Sequence, residues 1–201
     1  MKKQIGITGG IGSGKTTVAE WIEQMGYPVY NSDSRAKILV NTDPQLKAKI
    51  IALLGENAYD EQGNYNRKWV ATQVFEDTAQ LEKLNQLIHP AVRENFEAWV
   101  AQQTAPFIFK ETALLFELGL DRFCDKTILV TAEQSLRIKR VMDRDNKTYR
   151  EVEAIILQQM PEAEKINRAD FVIYNNGSLE DLHTETEATI QDLVQDLEGI
   201  G

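Results

Sequence analysis

Residues 6–17 read GITGGIGSGKTT. Gly9, Gly14, Lys15 and Thr16 fit the pattern GxxxxGK[ST], a loop whose backbone N–H groups cradle phosphate. The flanks agree with that reading. Gln4–Thr8 is a short apolar run of strand character. After the loop, Val18, Trp21, Ile22 and Met25 recur at i, i+3, i+4 and i+7, one apolar stripe of a helix. Gly26 supplies its stop and Pro28 follows. Glycines let such a loop curl with its N–H groups inward, and the N-terminus of the next helix adds partial positive charge. Lys15 is the compact cation for the β- and γ-phosphates of a nucleotide, and the Thr16 hydroxyl is a natural ligand for Mg²⁺.

Further apolar, β-branched segments follow at Val29–Tyr30, Pro106–Lys110, Lys126–Val130 and Phe171–Tyr174. Strands separated by helical patterns imply crossovers, so the expected fold is α/β, a parallel sheet flanked by helices. From Ser34 to about Gln103 the pattern is helical without a convincing strand, which predicts a helical insertion, with Pro90 breaking or kinking it after His89. Thr131 with Gln134 and Thr148 with Glu151 have capping-box spacing. With Asp145-Asn146-Lys147 as a turn they predict a helical hairpin. The last helix is expected to start at Ser178 and to bury Leu182, Ile190, Leu193 and Leu197. A single domain is expected: a core of residues 1–33, 104–132 and 161–201, an insertion at 34–103 and a lid at 133–160.

A chain of 201 residues with 42% hydrophobic content can bury a core without disulfides. The single cysteine, Cys124, reads as a small core hydrophobe, and a lone thiol fits a reducing, cytoplasmic setting. No apolar run reaches bilayer length, so no membrane association is expected, and the start of the chain reads as a first strand rather than a secretory signal. A net charge of −9 argues against general nucleic-acid binding. Six basic residues nonetheless fall between Arg137 and Arg150, which suits a local anion site. A monomer is consistent with this composition.

A GTPase would carry NKxD and a DxxG after a strand. Asn146–Tyr149 reads NKTY, and DEQG at 60–63 follows no apolar strand. Glu111, ending "FIFKE", is the nearest candidate for a second metal-site acid. A small-molecule kinase fits better. Such an enzyme needs an acceptor held in line and cations that close over the transferring group while excluding water. Asp33, just past the second strand, can orient an acceptor hydroxyl and take its proton late; the alternative is a cap for the helix starting near Ser34. Arg137, Arg140 and Arg144, spaced by three and four, share one helix face and suit bidentate phosphate contact.

With these residues assembled, the chain resembles the dephospho-coenzyme A kinase family from Ile5 to about Leu182. The resemblance rests on "GITGGIGSGKTT", "NSDSRAK", "NRKWVATQVF", "LEKLNQLIHPAV", "LLFELGL", "RVMDRD", "QMP" and "EKINRADFVIYNNG", in that order. It implies a P-loop NTPase-type kinase transferring the ATP γ-phosphate to the 3′-hydroxyl of dephospho-coenzyme A, with a helical acceptor-binding insertion and a helical lid. Gly12, Ser13, Gly14, Lys15, Thr16 and Thr17 would line the ATP phosphates, with Mg²⁺ at Thr16. Asp33, Lys15, Arg140 and Arg144 would serve catalysis. Thr8, Asp33, Asn66, Arg67, His89 and Arg93 would lie near the acceptor, and the segment 175–177 near the base. The family often has Gln at 137, Pro at 113 and Arg at 155. Here Ile155 removes a lid cation, with Arg137 as the residue that would stand in. The alternatives are a kinase of another small hydroxyl compound, such as a nucleotide or a shikimate-like acid, or a non-catalytic nucleotide-binding regulator.

Overall fold

A computed structural model describes residues 2–74 and 77–199. Phe75, in the quoted NRKWVATQVF stretch, therefore lies outside the described residues. The chain divides into two compact units, residues 1–31 with 103–201, and residues 32–102.

The first unit is built on a five-stranded sheet of order β2-β3-β1-β4-β5, every pairing parallel. The strands are β1 (Lys3–Thr8), β2 (Val29–Asn31), β3 (Phe107–Glu111), β4 (Lys126–Thr131) and β5 (Phe171–Tyr174). Each lies within two residues of its predicted span. Successive side chains point to opposite faces, so two apolar layers form. Ile5, Ile7, Phe107, Phe109, Ile128, Val130 and Ile173 pack with Val18 and Ile22 of α1 (Lys15–Gln24) and with Leu182, Ile190 and Leu193 of α9 (Leu179–Glu198). Burying a side chain of this size contributes roughly 1.5–3 kcal/mol. On the other face Gly6 leaves room for Leu115, whose Cδ2 would stand 2.8 Å from a Cβ at that position. The predicted stripe of α1 is observed, with Trp21 and Met25 partly buried at its margin.

Two further helices, α6 (Gln134–Asp145) and α7 (Tyr149–Leu157), form the expected hairpin, turning at Asn146 with φ 52°. Short α8 (Glu162–Arg168) then packs on β4. The Thr148–Glu151 capping box is present, and Ser178 caps α9 in a box with Asp181. The Thr131 box is not. Thr131 is the last residue of β4, its hydroxyl donates to Glu162 Oε1 (2.6 Å), and α6 starts after Glu133 without a side-chain cap. A partly buried carboxylate within reach wins over a solvated helix end for that hydroxyl.

The second unit is helical: α2 (Ser32–Thr42), α3 (Pro44–Leu54), α4 (Arg67–Val74) and α5 (Thr78–Gln102). Its own core gathers Val40, Leu46, Ile50, Ala58, Tyr59, Val70 and Leu84. Tyr59 donates its hydroxyl to Val40 O (2.8 Å), and burial pushes that hydroxyl up to about 12. Pro90 does not break α5, which runs through it. One missing N–H costs a single ladder bond, and the apolar side chains on both sides of it, Leu87, Ile88 and Ala91, hold the helix on the core.

Candidate phosphate-binding site

All five strands are parallel, so their C-terminal ends share one edge of the sheet, where open α/β folds bind ligands. Thr8, Asn31, Glu111 and Thr131 end four of these strands, and Asn175 follows the fifth. Thr8, Glu111, Thr131 and Asn175 are buried polar groups at that edge.

The loop between β1 and α1 has a backbone that only glycine accommodates at two points. Gly12 and Gly14 have φ of 77° and 94°, in the left-handed region. Gly14 is the N-cap of α1 and offers no side chain to it, leaving first-turn N–H groups to an incoming anion. Ser13 N–H donates back to Gly10 O (3.1 Å), tightening the curl. The Thr8 and Ser13 hydroxyls are buried without a partner among the described residues.

Lys15 and Glu111 form an ion pair, and Glu111 also accepts from Asn31 Nδ2. Glu111 is 0% exposed, a carboxylate stable there only because it is paired. β3 is thus apolar for three residues and charged for two, all five buried. Thr16 and Thr17 follow Lys15 in the first turn, with Thr16 exposed.

The three arginines of α6 do not act as one stripe. Arg137 is 3% exposed; its Nε donates to Ile11 O (3.0 Å) and its Nη1 to Glu162 Oε2 (2.6 Å). It braces the loop from beneath and cannot stand in for a lid cation at 155. Arg140 Nη2 donates to Asn175 Oδ1 (3.3 Å), and Asn175 Nδ2 donates to Ser13 O (2.8 Å). The Asn175 side chain, at the start of the segment expected near a base, ties the phosphate loop to Arg140. Arg144 makes two bonds to Asp145 (2.7 and 2.8 Å) and is mostly exposed. Its guanidinium holds the Asp145 carboxyl below the usual range.

Sequence reasoning also missed Gln159 Oε1, which accepts the Ile11 N–H (3.0 Å), and Lys165, fully buried against Glu117 (3.1 Å). The only available signal was that "QMP", "EKINRADF" and "LLFELGL" recur in fixed order. Cys124 is a partly buried thiol rather than the core residue expected, and burial pushes it up to about 11.

In the helical unit, Asp33 lies in the first turn of α2. The helix begins at Ser32, so Asp33 is inside it rather than capping it. Asn66 precedes α4, where its Oδ1 accepts the Trp69 N–H (3.2 Å); Arg67 is the first residue of that helix. His89 and Arg93 are one turn apart on α5, against which α4 packs. Arg93 pairs with Glu97 (2.8 Å). Burial lowers the His89 imidazole and favours its neutral ring.

Residues 3–181 match the sequence profile of a family described as dephospho-CoA kinase. The chain is 38% identical over 183 residues to the dephospho-CoA kinase of Fusobacterium nucleatum, covering 91% of this chain and 94% of that protein. Its fold is similar to dephospho-CoA kinase from Campylobacter jejuni, with a TM-score of 0.69, 26% identity and coverage of 96% and 98%. A shikimate kinase from Bacteroides thetaiotaomicron, 13% identical with a TM-score of 0.56 over 96% and 98% of the two chains, shares the fold alone.

Proposed function

Because the chain belongs to the dephospho-CoA kinase family, we propose that it transfers the γ-phosphate of ATP to the 3′-hydroxyl of dephospho-coenzyme A, giving coenzyme A and ADP. One observation carries this reading: an intact phosphate loop, Gly9 to Thr16, joins β1 to α1 within the span that matches the family.

Several features support the division of labour. Gly12 to Thr17 would hold the phosphates, with Lys15 exchanging its pairing with Glu111 for phosphate oxygens. A loose transition state spreads charge over the equatorial oxygens, so a fixed cation there lowers the barrier by electrostatics rather than by covalent chemistry. Arg140 and Arg144 would close the positive side from the α6–α7 lid, residues 133–160. The helical insertion, residues 34–103, would bind the acceptor, with Thr8, Asn66, Arg67, His89 and Arg93 near it. Asp33 would orient the hydroxyl and take its proton late.

The residues present fit Mg²⁺. No group of three His, Cys, Asp or Glu gathers as a metal cage among the described residues, and the Thr16 hydroxyl is exposed on the first turn. That hydroxyl can supply one ligand, with substrate phosphates and water completing the octahedral shell that Mg²⁺ prefers. Mg²⁺ would neutralise developing phosphate charge. Among the described residues no helix is long and apolar enough to cross a membrane. The lone thiol suits a reducing, cytoplasmic setting. No observation favours another acceptor.

The test is a coupled assay of ADP release with ATP and Mg²⁺, with and without dephospho-coenzyme A. Release that depends on that acceptor is the expected result. Release that instead follows shikimate or a nucleoside monophosphate would replace the substrate, and none with any acceptor would overturn the kinase reading.

A further inference from the structure

One residue of the phosphate loop is held by both ends of the α6–α7 hairpin. Ile11 O accepts from Arg137 Nε in the first turns of α6, and Ile11 N–H donates to Gln159 Oε1 just beyond α7, both at 3.0 Å. The side chain completes the grip, because Ile11 packs with Ile138, Val141, Met142, Val152 and Ile156 in the small apolar core of the hairpin. Its neighbours leave no slack. A Cβ at Gly10 would run into the Arg137 guanidinium, and one at Gly12 would stand 2.9 Å from Val141 Cγ2. Arg137 is itself anchored through Glu162 to the Thr131 hydroxyl at the end of β4.

This arrangement has a chemical cost that needs a reason. An N–H in a phosphate loop is a donor for an anion, yet the Ile11 N–H is given to a side chain 148 residues away. Residues 12–17 are left to bind phosphate, while residue 11 faces the hairpin that carries Arg140 and Arg144. We infer that Ile11 is a positioning residue that couples phosphate occupancy of the loop to the placement of the α6–α7 hairpin. The inference rests on the reading that the loop holds ATP and the hairpin is its lid. When phosphate fixes residues 12–17, Ile11 is fixed with them, and the hairpin core and its cations follow.

The test compares wild type, Ile11→Val and Ile11→Ala in the full-length protein. Hydrogen exchange is followed with and without a non-hydrolysable ATP analogue. In wild type and Ile11→Val the analogue slows exchange in the loop, in α1 and in α6–α7. In Ile11→Ala it slows the loop and α1 but leaves α6–α7 as without nucleotide. Turnover gives a second readout: Ile11→Ala lowers kcat on the order of 10–100-fold through misplaced cations. Its affinity for ATP stays within about threefold, because uniform binding is retained. Its ratio of ATP hydrolysis to acceptor phosphorylation rises. If Ile11→Ala does not fold, Gln159→Ala removes one of the two backbone grips and is expected to lose part of the α6–α7 protection. Equal α6–α7 protection in wild type and Ile11→Ala (or, where that variant does not fold, Gln159→Ala) overturns the inference, as does its absence in wild type. The exchange readout needs only nucleotide binding, so a protein that shows the coupling but makes no ADP with dephospho-coenzyme A would sink the functional reading alone.

Discussion

Under the proposed reading, Asp33 does its work in the first turn of α2, where its charge also complements the helix N-terminus. Asp33→Asn keeps size and loses the proton acceptor. Turnover should fall on the order of 10²–10⁴-fold, the range for general-base loss, with ATP affinity and thermal midpoint little changed. A kinetic comparison with unchanged turnover would leave Asp33 only its helix-end role. Cys124 offers a test of burial. Its thiol is pushed up to about 11, against roughly 8.5 in an unfolded chain. The folded state therefore keeps a proton that the unfolded state releases first. The resulting stability is fully present below about pH 8.5 and is lost as pH rises towards 11. Urea midpoints measured across that window should fall less steeply for Cys124→Ala than for wild type. At this scale legibility follows distance along the chain. Lys15 and Thr16 are readable because their motif is contiguous. Arg137, Gln159 and Asn175 reach the loop across 126, 148 and 162 residues, and no local spacing encodes such a bond.

The helices separate by what they are packed against. α9 buries Leu182, Ile190 and Leu193 in the central core, whereas α7 fully buries only Val152 in the hairpin's small cluster. Ser178 and Thr148 cap them with the same chemistry, and either change to Ala removes about 1 kcal/mol from its helix. The consequences should differ. Ser178→Ala should lower the global urea midpoint, while Thr148→Ala should leave it nearly unchanged and speed exchange of α7 amides. A global loss from Thr148→Ala would mean that α7 unfolds only with the core. Element types were legible because periodicity and capping spacing are local properties. The failures share one cause, a tertiary partner winning over a local rule: Thr131 prefers Glu162 to a helix end, and α5 tolerates Pro90 because the partly buried Leu87, Ile88 and Ala91 around it pack on the helical core.

Each of the two compact units has an apolar core of its own. Nucleotide at a hundred times its Kd should add about 2.7 kcal/mol to the stability of the unit that carries the loop. Exchange should slow in β1 and β4 and not in α3, and equal slowing in α3 would show that the units open together. The parallel sheet was legible as alternating strand and helix patterns. Strand order was not, since each pairing joins strands separated by a helix or more. That order has a consequence in time. β1 lies between β3 and β4, and roughly a hundred residues of chain separate it from Phe107. At about 5–20 residues per second a ribosome needs on the order of 5–20 s to make that stretch. For that interval Ile5 and Ile7 have no neighbouring strand to pair with. The segment that announces the fold first in the sequence is among the last to take its shape during synthesis.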